Sequence, residues 1–203
     1  MPRINTEYRE DAKKKIIAAA LDVASTSGWG ALTLDAIAQK VGVTKGAFYS
    51  YFENSGTLMQ DVLIEMIRII RDQILDGLSG ESDIHAALDR LAGFIFLEPK
   101  PFIPIFIQAV AGIPKDPVFM ARITGLLDEN SVLIVAALSR YQDSGQIPKD
   151  VELSSAVRAI YAMTIGLGLM THVLGKDPAL TKQAWMDAVE RILELERRTG
   201  RRK

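Results

Sequence analysis

The chain has no cysteine, which excludes disulfides, thiolate metal sites and thiol nucleophiles. It has two histidines, His85 and His172, far apart and without carboxylates at metal-ligand spacing. We therefore expect no metal; His85 reads as a solvent-facing helix residue and His172 as a partly buried, satisfied one. Serine–histidine–acid, phosphate-loop and paired-carboxylate patterns do not stand out, so neither an enzyme nor a bound cofactor is expected. Charge of one sign is also lacking, with 24 Lys and Arg against 25 Asp and Glu. Any contact with phosphate must then come from local placement and helix N-termini, without help from a whole-protein field. The longest apolar stretch, 159–173, is short for a membrane span and is expected to be a buried helix. Arg3, Glu7, Arg9, Glu10 and Asp11 precede any apolar run, unlike a secretory leader, so the expected location is cytoplasmic, with no membrane partner.

Across its 203 residues, 48% apolar, the chain shows helical periodicity and no strand alternation, internal repeat or low-complexity tract. A first helix is predicted over 9–27, with Ile16, Ile17, Ala20, Leu21 and Ala24 as its stripe and Gly28 as its stop. Further helices are predicted over 57–78 (capped by Thr57), 83–97, 102–113, from Pro117 to about 143, 153–174 and 181–198, divided by glycine and proline. With the two short helices described next, the fold is all-α with about nine helices.

Residues 33–52, TLDAIAQKVGVTKGAFYSYF, form a helix-turn-helix pattern. Thr33 caps a helix whose buried face is Leu34, Ile37, Ala38 and Val41. Gly42 supplies a left-handed exit, and Thr44 caps a second helix starting at Lys45. Phe48 and Phe52, four apart, face the core. In such docking the N-terminal end of the second helix meets base edges. The DNA-binding residues are thus expected to be Thr33, Thr44, Lys45, Gly46, Ala47, Tyr49, Ser50 and Tyr51. Lys45 suits guanine O6 or N7, the Ala47 methyl suits thymine, and the tyrosines and Thr33 suit phosphate. Arg3 and Arg9, and the run Arg197, Arg198, Arg201, Arg202 and Lys203, read as solvated ends.

Ile17, Ala20, Leu21, Gly28, Thr33, Ile37, Ala38, Gly42, Val43, Gly46, Phe48, Tyr49, Tyr51, Phe52 and Leu58, in their relative spacing, resemble the TetR family of transcriptional regulators over the first third of the chain. The chain departs from the family at Ser55 and Gly56, where a lysine and an acidic residue are common, and at Leu32, where a hydroxyl residue is common. The resemblance implies an N-terminal three-helix DNA-binding domain, 1–55, and a C-terminal helical ligand-binding and dimerisation domain, 56–203. It implies a homodimer on a palindromic double-stranded operator, acting as a repressor released by a small apolar or amphipathic molecule. An apolar cavity with a few polar groups suits such a molecule; Phe94, Phe102, Phe106, Gln108, Met120, Asn130, Tyr161 and Thr164 are its expected lining. Glycines in an apolar helix suit close helix approach, and the family pairs its last two helices between subunits. Gly166, Gly168, Met170, Trp185, Val189 and Ile192 are accordingly expected at the dimer interface. The alternative is a helical small-molecule-binding protein or enzyme whose N-terminal motif only packs.

Overall fold

The computed structural model describes residues 6–98, 102–112 and 116–196. Among these lie nine α-helices, one short 3-10 turn (Trp29–Ala31) and no strand. The helices are α1 (Thr6–Ser27), α2 (Leu34–Val41), α3 (Lys45–Phe48), α4 (Ser55–Ser79), α5 (Ile84–Phe96), α6 (Phe102–Gly112), α7 (Pro117–Asp143), α8 (Leu153–His172) and α9 (Pro178–Ile192). Arg3, Pro99, Pro101 and the basic run from Arg197 onward lie outside the described residues; Arg9 is exposed.

Side-chain caps set most of the helix starts. Asn54 Oδ1 accepts from Thr57 N–H at 2.9 Å, so α4 begins earlier than predicted, with Asn54 rather than Thr57 as the cap. Asp83 caps α5 through Ala86 N–H at 2.9 Å. Asp177 caps α9 through Ala179 and Leu180 N–H, with Pro178 in the first turn; a proline there lacks only a hydrogen that would be unpaired anyway. Helix α9 also stops short of the predicted 198. Glu194 turns left-handed at φ 51°, Leu195 N–H returns to Glu190 O at 2.9 Å, and Leu195 is tucked into the core.

The chain separates into two compact units, Met1–Ile69 with Ile105–Met120, and Ile70–Pro104 with Ala121–Lys203. The division differs from the expected boundary after residue 55, because Leu58, Val62, Leu63, Met66 and Ile67 extend the buried stripe of α4 well past it. In the first unit α1 packs on α2 and on the 3-10 turn. Ile16, Ala20, Ala24, Ile37, Phe48, Phe52 and Leu58 are buried there. An ion pair between Lys40 and Asp22 ties α2 to α1. Trp29 is buried, and its backbone N–H donates to Gln108 Oε1 at 3.2 Å.

In the second unit α9 packs against α8 and α5. The Phe96 and Trp185 rings meet edge-on at 6.2 Å, and the indole N–H of Trp185 donates to Thr164 Oγ1 at 2.7 Å. Tyr141 OH lies 2.6 Å from Leu78 O and 2.8 Å from Glu81 O, joining α7 to the end of α4. Gln146 closes the same corner, accepting from Ile84 N–H at 2.8 Å and donating to Ser82 O at 3.0 Å. His172 Nε2 is 2.9 Å from Ile95 O. His85 is not solvent-facing: Nδ1 lies 3.0 Å from Glu190 Oε1, joining α5 to α9.

Helix α8 corrects a second expectation. It is long and apolar enough to cross a membrane by length and composition, yet only 22% of its apolar window is buried. Ala156, Val157, Gly168 and Thr171 turn inward, whereas Ala159, Ala162, Ile165, Gly166 and Met170 face out. The predicted buried helix is half uncovered in the single chain.

Candidate nucleic-acid interface

Residues 33–52 fold as a helix, a tight turn and a very short second helix. Thr33 Oγ1 accepts from Ala36 N–H at 3.1 Å, and Thr44 Oγ1 from Ala47 N–H at 3.2 Å. Each hydroxyl keeps its own proton for donation outward. Gly42 sits at φ 76°, ψ 30° and closes α2 through its N–H to Ala38 O. A side chain is strained in that left-handed conformation, so the sharp corner between α2 and α3 depends on glycine here.

Aromatic stacking fixes the corner from beneath. The Phe48 and Phe52 rings stack at 5.2 Å, and both are almost fully buried. Lys13 Nζ lies 5.9 Å from the centre of the Phe52 ring, attaching α1 to the same block. Tyr49 meets Phe48 edge-on at 5.7 Å and is 56% exposed. One ring face of the pair is therefore committed to the core while the phenol is presented to solvent.

Of the predicted DNA-contacting residues, Thr33, Thr44, Lys45, Gly46, Tyr49 and Ser50 are exposed, and Ala47 and Tyr51 are half-buried. Ser50 hydroxyl donates to Ala47 O. Lys45, expected to suit a guanine edge, is engaged within the chain. Its ammonium lies 2.6 Å from Asp35 Oδ1, and that carboxylate, by hydrogen bond first and by charge second, raises the lysine above its usual 10.5. Asp35 was missed because the pairing spans ten positions across the turn. The available signal was an acid in the first turn of α2 opposite a base in the first turn of α3. Ser55, the departure noted above, is exposed as the first residue of α4. A Cβ at Gly56 would sit 3.0 Å from Asn54 Oδ1, crowding the cap of that helix.

The expected ligand-lining residues do not all fall in one unit. Phe106, Gln108 and Met120 belong to the first unit; Gln108 is bonded to Trp29 there, and Met120 is largely exposed. Phe94, Phe102, Asn130, Tyr161 and Thr164 belong to the second. The Phe94 and Phe102 rings stack at 5.8 Å. Thr164 is engaged by Trp185 and donates to Ile160 O at 2.7 Å. Burial pushes the Tyr161 phenol up to about 12, and Asn130 is 2% exposed with no partner for its Oδ1.

The expected interface residues divide in a similar way. Gly166 opens onto empty space, and Met170 is exposed. A Cβ at Gly168 would collide with Ile103 Cδ1 of the same chain. Trp185 and Val189 are buried inside the unit. Gly168, Trp185 and Val189 are thus occupied by packing within the chain, and Ile192 is half-buried.

Comparison with known proteins bears on the same stretch. Residues 16–62 match the model described as bacterial regulatory proteins, tetR family. The chain is 29% identical over 103 residues to the uncharacterized HTH-type transcriptional regulator YvdT of Bacillus subtilis (strain 168), covering 51% of this chain and 53% of that one. It is 26% identical over 168 residues to the HTH-type transcriptional regulator SrpR of Pseudomonas putida, covering 82% and 78%. The matched stretch thus spans about half the length of the first relative. In fold it is similar to a transcriptional regulator from Saccharomonospora viridis crystallised in complex with choline, at 18% identity and TM-score 0.73, covering 93% of this chain and all of that one.

Proposed function

We propose that this chain, whose residues 16–62 match the model described as bacterial regulatory proteins, tetR family, is a ligand-controlled transcriptional regulator of that family that binds double-stranded DNA as a homodimer. The reading is of a regulator and not of an enzyme. The observation that carries it is the corner at Gly42, where two threonine-capped helices present Thr44, Lys45, Gly46, Tyr49 and Ser50 to solvent above a buried Phe48–Phe52 stack. A short helix held this rigidly, with its small residues outward, fits the major groove. Thr33, Tyr49 and Tyr51 carry hydroxyl groups suited to phosphate oxygens.

Two copies of this corner read two half-sites of a palindrome, so a dimer multiplies the selectivity of each. The uncovered apolar side of α8, from Ala159 to Met170, supports pairing through that helix and the outward side of α9. A small molecule bound in the second unit then favours a dimer geometry in which the two corners no longer match successive grooves. Helix α4, which contributes residues to both units, is the element through which such a change travels. Coupling of about 1–3 kcal/mol is enough to weaken operator binding roughly 5- to 150-fold. Repression follows if the operator overlaps a promoter, and such a regulator works beside the chromosome, in the cytoplasm.

Mobility-shift titration with the DNA upstream of the protein's own gene tests this reading. A shift that a palindromic duplex competes away, and a scrambled duplex of equal length does not, is the expected result. Equal affinity for both duplexes defeats it.

A further inference from the structure

Within the second unit the buried face of α7 consists of Ile123, Leu126, Asn130, Ile134, Leu138 and Tyr141, a stripe at helical spacing that is apolar on either side of one carboxamide. Leu126 and Ile134 lie one turn before and one turn after Asn130, so its side chain shares their face. Asn130 is 2% exposed, yet its Oδ1 has no hydrogen-bond partner among the described residues. The other polar side chains buried among the described residues, Thr171 and Thr181, are satisfied. Thr171 donates to Leu167 O at 3.0 Å, and Thr181 to Asp177 O at 2.8 Å. Tyr141 and Trp185 are partnered as described above. An unpaired amide inside an apolar stripe is costly to retain for packing alone, since an apolar side chain of the same branching, leucine, would remove the unpaired group.

We propose that Asn130 is the polar anchor for the small molecule this regulator senses, and that this molecule is neutral, with an apolar body and a hydroxyl or amide that donates to the Asn130 carboxamide. The assignment rests on the ligand-controlled reading above. Neutrality follows from the chemistry of the interior. No charged side chain is among the buried residues of the described chain, so a charged ligand group would be desolvated without a counter-charge. This chemistry separates the chain from its structural neighbour that holds choline, a cation.

Calorimetric titration of the full-length dimer with matched isosteres tests the anchor. The probes are phenol against toluene, 1-naphthol against 1-methylnaphthalene, and choline. The hydroxyl member of each pair is expected to bind about tenfold more tightly than its methyl isostere, roughly the worth of one hydrogen bond to an otherwise unpaired buried group. In Asn130→Leu that ratio falls to about one, while the apo melting temperature holds or rises because the unpaired amide is gone. Asn130→Ser, which restores a smaller polar group, keeps part of the preference. Equal binding of isosteres by the wild type, no binding of either pair, a preference that survives in Asn130→Leu, or choline binding as tight as 1-naphthol overturns the anchor. Failure of the wider reading looks different. If 1-naphthol binds through Asn130 but leaves a bound operator duplex in place, the anchor stands and ligand control falls. If a methyl isostere binds as well as its hydroxyl partner and still releases DNA, ligand control stands and the anchor falls.

Discussion

At the proposed DNA-facing corner the residue with the largest electrostatic consequence is Asp35. Its carboxylate sits 2.6 Å from the Lys45 ammonium, with both side chains largely exposed, so the pair adds little to stability. Its consequence is electrostatic. The base-reading end of α3 carries a cation already neutralised by the preceding helix, consistent with a first sixty residues holding seven Lys and Arg against six Asp and Glu. On non-operator DNA, where phosphate attraction supplies nearly all the affinity, the pair contributes almost nothing. If Lys45 reads a guanine edge, as proposed, it exchanges Asp35 for that edge on a matching site, and the pair then favours specificity over raw affinity. Asp35→Asn should raise affinity for non-operator duplex about threefold or more at low salt and steepen the salt slope. Lys45→Ala should flatten the slope by about one and leave Asp35 facing phosphates unopposed. The double variant should consequently bind better than Lys45→Ala alone, as filter binding across a salt series would reveal. Unchanged non-operator affinity in Asp35→Asn would sink this account. Since Asp35 raises the Lys45 ammonium above 10.5, the lysine stays charged at every practical assay pH, and pH dependence of binding must come from elsewhere.

At the scale of elements, the helices were legible wherever a cap and a period agreed. Thr33, Gly42 and Thr44 stand where the corner needs them. Reading failed where two polar residues able to cap stood within a few positions, as with Asn54 and Thr57, or Asp177 and Thr181. It also failed for partners distant in sequence, such as His85 with Glu190, which no local pattern reveals. Gly166 and Gly168 illustrate the limit of composition. Both cost helix propensity, but only Gly168 is filled, by the buried Ile103 side chain of α6. Gly168→Ala should lower stability by about 1 kcal/mol, the overpacking outweighing the propensity gain. Ile103→Val, which removes the colliding methyl, should be coupled to it, so that the double variant is more stable than the two single effects predict. Additive melts at fixed protein concentration would show that the glycine is not there for Ile103. The start of α8 gives a pH counterpart. Glu152 accepts from Ser154 and Ser155 N–H at 3.0 and 2.7 Å; the Ser155 hydroxyl first, and these two N–H groups after it, lower its carboxyl from 4.5 to about 2. A carboxyl lowered on folding contributes stability that is fully present above about 4.5 and lost as pH falls through about 2. The gap in melting temperature between wild type and Glu152→Ala should be widest near neutrality and close across that window; a gap independent of pH would contradict it.

For the whole molecule the governing fact is that α8 is more apolar than its burial in one chain requires. Ile165 is 42% exposed, Met170, Val173 and Leu174 are exposed too, and Ala162 and Gly166 lie on the same side at helical spacing. Exposed apolar surface of this extent marks an interaction face, and a helix with small residues along it lets a second backbone approach closely. Hydropathy identified the helix but not its cover, because burial by a neighbouring element and burial by a second copy leave the same pattern in a sequence. If the cover is a second copy related by a two-fold axis, every substitution on this face occurs twice at one interface. Ile165→Glu then places two carboxylates in a desolvated seam, and neither finds a partner. The variant should sediment as a monomer at concentrations where the wild type is a dimer, with helical content retained because Ile165 is not needed for the core of one chain. Operator affinity should fall by about 100-fold or more, since each corner loses the gain from simultaneous engagement of two half-sites. Affinity for an isolated half-site should change little. That contrast separates lost pairing from a damaged corner: a dimeric Ile165→Glu, or equal losses on half-site and full operator, would remove α8 from the interface.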